Sequence, residues 1–242
     1  MASGGQPAAT VPSKPDKKTA SIPKDKKELK ILMLHGYTQS GPLFSAKTKA
    51  LNKLLIKALA PAPLNLYPTL IFPSGPHRLR PSDIPGYVPP EDPSLEDGDE
   101  DELDNWSWFR KDEASGLYRG IEDGMRVIAS TIREAGGVDG VLGFSQGGCM
   151  AALPLKFGVI YSGFYATPAN LQWLYDPAIA TPTLHFLGGL DTVVEEKRSQ
   201  ALFERCRDPM VLTHPGGHYV PVARDWVMPL VGWLRQRCLE AA

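Results

Sequence analysis

Residues 138–150 read VDGVLGFSQGGCM, and this stretch constrains the chain more than any other. A strand-like run, Val138 to Leu142, leads into Gly143-Phe144-Ser145-Gln146-Gly147, which fits the spacing G-x-S-x-G. A serine lifted to the tip of a sharp strand-to-helix turn takes strained backbone angles. The flanking chain then approaches so closely that two positions accept only glycine. A helix starting after Ser145 directs free N–H groups and a partial positive charge at the place where an oxyanion would form. Alone the pattern is weak, because a chain with 23 glycines meets it by chance. A strand-like run before it and Gly-Gly-Cys-Met-Ala-Ala after it strengthen the reading. The bland alternative is an ordinary glycine turn, so the rest of the chain has to decide.

The surroundings alternate apolar runs with helical patterns. Leu29–His35, Leu64–Phe72, Phe157–Ser162, Pro182–Leu187 and Met210–Thr213 read as strands, with Pro68 placing the second at an edge or a break. Helical spacing covers Leu51, Leu54, Leu55, Ala58 and Leu59, then 117–135 through Ile121, Met125, Ile128 and Ile132. Further helices are predicted over 194–206 and 222–234, the latter kinked or restarted by Pro229. Strands this apolar are covered on both faces. The expectation is therefore an α/β fold with a mostly parallel, doubly wound sheet and helices on both sides, one domain over 29–242.

Composition bounds the rest. At 242 residues and a formal charge of −1, without a basic stripe, the chain gives no sign of a nucleic-acid partner. Three cysteines, Cys149, Cys206 and Cys238, lack metal-like spacing and favour a reducing compartment. No run is long enough for a membrane span and no secretion signal is visible, so a cytoplasmic or nuclear location is expected. Residues 1–28, rich in Ala, Ser, Pro and Lys, read as a disordered basic tail. Residues 73–105 are proline-rich and then carry nine carboxylates between Glu91 and Asp104 with no compensating base. Such a segment is a solvated loop or, alternatively, a lid or partner-binding arm. Trp106, Trp108 and Phe109 follow it, as core anchors or as one wall of an acyl pocket.

A serine nucleophile needs a histidine base oriented by a carboxylate, and in such a sheet these groups sit on loops beyond the strands' carboxyl ends. That rule selects Asp191, in Leu187-Gly188-Gly189-Leu190-Asp191, and His218, in His214-Pro215-Gly216-Gly217-His218. The order Ser145, Asp191, His218 is that of an α/β-hydrolase. His35, His77, His185 and His214 have plainer readings, as a loop brace, a loop residue and two strand residues. Asp176 and Asp225 read as a turn residue and a first-turn helix residue. Two backbone N–H groups should complete an oxyanion hole: that of Gln146, next after the serine, and that of Tyr37 in the loop after the first strand.

Taken in order, His35-Gly36-Tyr37-x-Gln39-Ser40-Gly41, the Trp-rich segment, Gly143–Gly148, Leu184–Asp191 and His214-Pro215-Gly216-Gly217-His218-x-x-Pro221 resemble the FSH family of serine hydrolases. This is the group of the yeast family serine hydrolases and the human ovarian-cancer-associated protein 2. The resemblance spans residues 29–235. It implies an α/β-hydrolase fold and a Ser145–Asp191–His218 triad acting on carboxylic esters or thioesters, without metal or organic cofactor. Some fungal relatives release polyketide acyl chains from their synthases, so a carrier-bound acyl substrate is open as well. The aromatic segment points to medium or long acyl chains.

One departure from the family pattern stands out. Only eleven residues, Gln146–Lys156, join the serine to the next strand, where a parallel crossover usually takes a dozen or more. A helix over Gln146–Leu153 would span about 12 Å. The expected consequences are lower stability and a displaced Ser145. They keep a second class of function in play, an idle binding or scaffold protein on a hydrolase fold.

Overall fold

The computed structural model describes residues 22–88 and 104–240. Residues 1–21 and the carboxylate run up to 103, on which the tail and loop expectations mainly rest, lie outside the described residues. Six parallel strands form the central sheet: β1 (Lys27–Leu34), β2 (Leu66–Ile71), β3 (Gly140–Phe144), β4 (Phe157–Tyr161), β5 (Thr183–Gly188) and β6 (Pro209–His214). Their order is β6-β5-β4-β3-β1-β2. β3 and β4 are buried at every position, as a parallel strand covered on both faces requires. β2 occupies an edge, where the donor missing at Pro68 is tolerated. β1 begins at Lys27, so the strand takes up the last two residues assigned to the tail.

The chain winds away from β1 in both directions, and helices cover both faces of the sheet. On one side α2 (Lys49–Leu59), which follows the short α1 (Gly41–Lys47), and α6 (Arg224–Glu240) pack Leu51, Leu55, Leu230 and Leu234 against Ile31, Leu142 and Phe186. On the other, α3 (Ile121–Glu134) and α5 (Glu196–Phe203) pack Ile121, Ile128 and Leu202 with Leu32, Val141 and Ile160. Each such aliphatic side chain contributes about 1.5–3 kcal/mol by leaving water. Switching direction between β1 and β3 opens a crevice at the strands' carboxyl ends, where ligands bind in open α/β sheets.

Several boundaries differ from the sequence reading. Helix α3 starts at Ile121 rather than 117, because Gly120 at φ 73° breaks the chain there and Tyr118–Arg119 pair with Arg110–Lys111. Helix α6 runs on through Pro229 with no restart. Val227, Leu230 and Val231 are buried on either side of that proline, and their packing outweighs one missing hydrogen bond. Residues 73–88 are not simply solvated loop: His77–Arg78 pair with Trp106–Ser107, and Pro81–Asp83 form a 3-10 turn.

The crossover from β3 to β4 is even less helical than its length suggests. The helix after Ser145, α4, covers only Gln146–Cys149. The remaining chain returns through tight turns, pinned where Thr181 Oγ donates to Leu153 O (2.8 Å) and accepts from Leu155 N (3.3 Å). At its far end Lys156 N donates to Asp139 O, and Lys156 Nζ lies 2.6 Å from the Asp139 carboxylate. No helix among the described residues is long and apolar enough to cross a membrane.

Candidate active site

The turn after β3 carries Ser145 at φ 54°, ψ −114°, a backbone conformation that costs a non-glycine residue about 1–3 kcal/mol. Hydrogen bonds from the surrounding strands hold it there. Ser145 N donates to Tyr161 O at 2.9 Å, Gly147 N to His35 O at 3.1 Å, and Cys149 N to Ser145 O at 3.0 Å. The two motif glycines mark close backbone approaches. A Cβ on Gly143 would lie 2.3 Å from Gly147 O, and one on Gly147 would lie 2.1 Å from Leu34 O. The short crossover therefore does not displace the serine, because tertiary hydrogen bonds rather than the length of α4 fix the turn.

Three side chains from three strand ends converge. His218, in the loop after β6, has Nε2 3.0 Å from Ser145 Oγ, and its Nδ1 lies 2.8 Å from Asp191 Oδ2. Asp191, after β5, accepts Val193 N and Val194 N on Oδ1, both at 2.9 Å. Burial alone would raise the Asp191 carboxyl. The Val194 N–H, the His218 hydrogen bond and nearby Ser162 outweigh it and hold the pKa below the ordinary value. An ionised Asp191 fixes the imidazole with its proton on Nδ1, leaving Nε2 to accept from the serine hydroxyl. The Phe144 ring, 4.9 Å from that of His218, packs against the imidazole.

Tyr37 and Gln146 line one cavity of about 510 Å³ together with Ser145. Neither backbone N–H has an acceptor among the described residues, so both remain available to a ligand. The Tyr37 hydroxyl anchors its loop by donating to Asp83 O at 2.8 Å. The Gln146 side chain is a clamp: Oε1 accepts Trp108 N at 3.1 Å and Nε2 donates to Phe109 O at 2.9 Å.

The three aromatics separate. Phe109 lines the cavity, but Trp108 and Trp106 do not, which corrects the expected pocket wall. Trp108 is wholly buried, its indole N–H donating to His35 O at 2.9 Å, so it is a core anchor. Trp106 turns toward the outside and donates to Asp104. The cavity's other apolar walls, Tyr118, Phe164, Val193 and Val194, come from segments with no local motif, as does Arg198 on α5. His35 braces the first loop: Nδ1 lies 2.7 Å from Gly36 O, so it donates there, and Nε2 accepts Gly75 N at 2.9 Å. Burial pushes its pKa down to about 4. His185 is likewise lowered by burial to about 4, inside β5.

Comparison with known proteins bears on this geometry. Residues 24–230 match the model of the serine hydrolase (FSH1) family. The chain is 31% identical over 226 residues to Family of serine hydrolases 2 of Saccharomyces cerevisiae, covering 85% of this chain and 97% of that one. It is 33% identical over 213 residues to a Schizosaccharomyces pombe protein named dihydrofolate reductase. That match covers 81% of this chain but spans only 44% of the length of the relative. Among solved structures, Zea mays acyl-protein thioesterase 2 shares the fold with a TM-score of 0.58 at 20% identity, over 89% of this chain and 96% of that one. The sheet, the turn and the matched family model agree: this chain belongs to the FSH1 family of serine hydrolases.

Proposed function

We propose that this chain hydrolyses carboxylic esters or thioesters through an acyl-enzyme on Ser145. The observation that carries the reading is the unbroken hydrogen-bond chain from Asp191 through His218 to Ser145, on a strained turn that opens into a cavity. Ser145 Oγ attacks the acyl carbonyl carbon as its proton passes to His218 Nε2. The oxyanion is met by the N–H groups of Tyr37 and Gln146. The carbonyl re-forms and the alcohol or thiol leaves, protonated by His218. A water molecule, deprotonated by His218, then attacks the acyl-enzyme and releases the acid and Ser145. Asp191 stays ionised throughout and stabilises the imidazolium.

Phe109, Tyr118, Phe164, Val193 and Val194 give the cavity an apolar lining suited to a medium or long acyl chain. The chain arrives as a small-molecule ester or on a carrier. Labelling by a fluorophosphonate probe that disappears in Ser145→Ala is the expected result. Absence of labelling in a demonstrably folded protein would favour the idle binding protein instead. Hydrolysis of p-nitrophenyl esters and acyl thioesters of graded length tests the chain preference, and a clear preference for acetyl would overturn it.

A further inference from the structure

Three cations line the cavity beside Ser145, and they differ in what neutralises them. Arg110 lies 3.2 Å from Asp83, and Lys111 lies 2.7 Å from Glu113. Arg198 has no carboxylate within ion-pair distance among the described residues; the nearby Glu195 is held by Lys197 at 2.6 Å. Its guanidinium carbon sits 4.3 Å above the Phe164 ring, itself buried in the cavity wall. Tyr118, Phe164 and Arg198 line the same cavity, and the Arg198 charge works against the rise that burial imposes on the Tyr118 phenol. A half-buried guanidinium laid on an aromatic face loses little further rotamer freedom when an anion arrives.

The position of His218 says which part of a substrate would bring the anion. His218 protonates the leaving group, and it opens on a second cavity of about 290 Å³ lined by Gln39, Phe44, Phe144 and Tyr219. Ser145, both free N–H groups and Arg198 share the larger one. A leaving group directed toward His218 leaves the larger cavity to the acyl group. Resting on the hydrolase reading above, we infer that Arg198 is a specificity residue for the acyl group: the preferred acyl chain carries a carboxylate at its far end, paired with this guanidinium. The substrate class is then a monoester or monothioester of a dicarboxylic acid.

The test compares p-nitrophenyl monoesters of succinic, adipic, suberic and sebacic acids with the same chains capped as neutral methyl esters. Wild type should prefer the free carboxylate at the fitting length by about ten- to a hundredfold in kcat/KM, the worth of a charge-assisted hydrogen bond. That ratio should fall to near one in Arg198→Met and be partly retained in Arg198→Lys. A Ser145-dependent hydrolysis with no preference for the free carboxylate at any length overturns the inference and leaves the hydrolase reading standing. So does a preference that survives Arg198→Met. If neither series turns over and fluorophosphonate labelling is also absent from the folded protein, the hydrolase reading falls first.

Discussion

Two neighbouring strands of the sheet end in the same way. β3 leads into Ser145 at φ 54°, and β4 leads into Ser162 at φ 44°. Each serine N–H donates to the next strand, Ser145 to Tyr161 O and Ser162 to Phe186 O. Both hydroxyls are nearly buried. Yet Ser145 Oγ lies in hydrogen-bond range of His218 and faces the larger cavity, whereas Ser162 Oγ makes no hydrogen bond of sound geometry among the described residues. Ser162 instead sits close enough to the Asp191 carboxylate for its dipole to favour the charged form. Backbone strain therefore does not by itself mark a nucleophile. What separates the two serines is the imidazole that one reaches and the other does not.

The sharpest way to test that contrast is to remove each hydroxyl. Ser145→Ala should lower kcat on a p-nitrophenyl ester by up to about a millionfold. Ser162→Ala belongs at the other end of the scale. Asp191→Asn comes second: it reverses the tautomer that the carboxylate imposes at His218 Nδ1 and should cost about 10⁴ in kcat with the fold retained. Activity within tenfold of wild type would show that Asp191 does not orient the base.

The histidines repeat the contrast between used and unused groups, and here the readout is stability. His35 is neutral in the fold because burial lowers its pKa to about 4, while the unfolded chain takes up a proton below the usual 6.5. Stability is thus fully present above about 6.5 and lost as pH falls toward 4, by about 3 kcal/mol for this one group, and it changes no further below that. Urea midpoints measured across this window should fall steeply in wild type and less steeply in His35→Gln. An equal slope would mean that His35 does not titrate in this way.

A smaller effect concerns the strain itself. Ser145→Gly should be more stable than Ser145→Ala by about 1–2 kcal/mol in thermal or chemical unfolding, because glycine occupies φ 54° without a Cβ clash while neither variant is active. The smallest expected change is that of Ser162→Ala, a drop in kcat within about tenfold, since it touches the reaction only through Asp191. A loss comparable to that of Asp191→Asn would erase the distinction between the two serines.

The parts of this molecule that follow local rules were legible in the chain. β1, β4 and β5 announce themselves as apolar runs, and Pro68 pointed to an edge or a break, of which the sheet order shows the edge. Ser145, Asp191 and His218 could be picked out as candidates because each lies just past a strand's carboxyl end. What escaped depends on contacts between distant segments. Nothing near Trp108 tells that its indole would find the His35 carbonyl rather than the cavity. Pro229 breaks helices by local rules, and only the packing of Val227 and Leu230 against the sheet overrides it. Arg198 sits on an ordinary polar helix, and its place in the cavity follows from Phe164, a residue from another crossover.

The Gln146 clamp has a consequence for engineering. The residue whose main chain faces the cavity beside Ser145 also holds, through its side chain, the backbone of Trp108 and Phe109. The segment around 108–109 and the turn around 145–146 are thus held together by one side chain. Grafting a foreign 104–112 arm to reshape the cavity should succeed as long as Gln146 stays in place, because the clamp holds main-chain groups that any sequence supplies. Replacing Gln146 by alanine, by contrast, would leave two main-chain groups without partners and loosen the turn beside Ser145 at the same stroke.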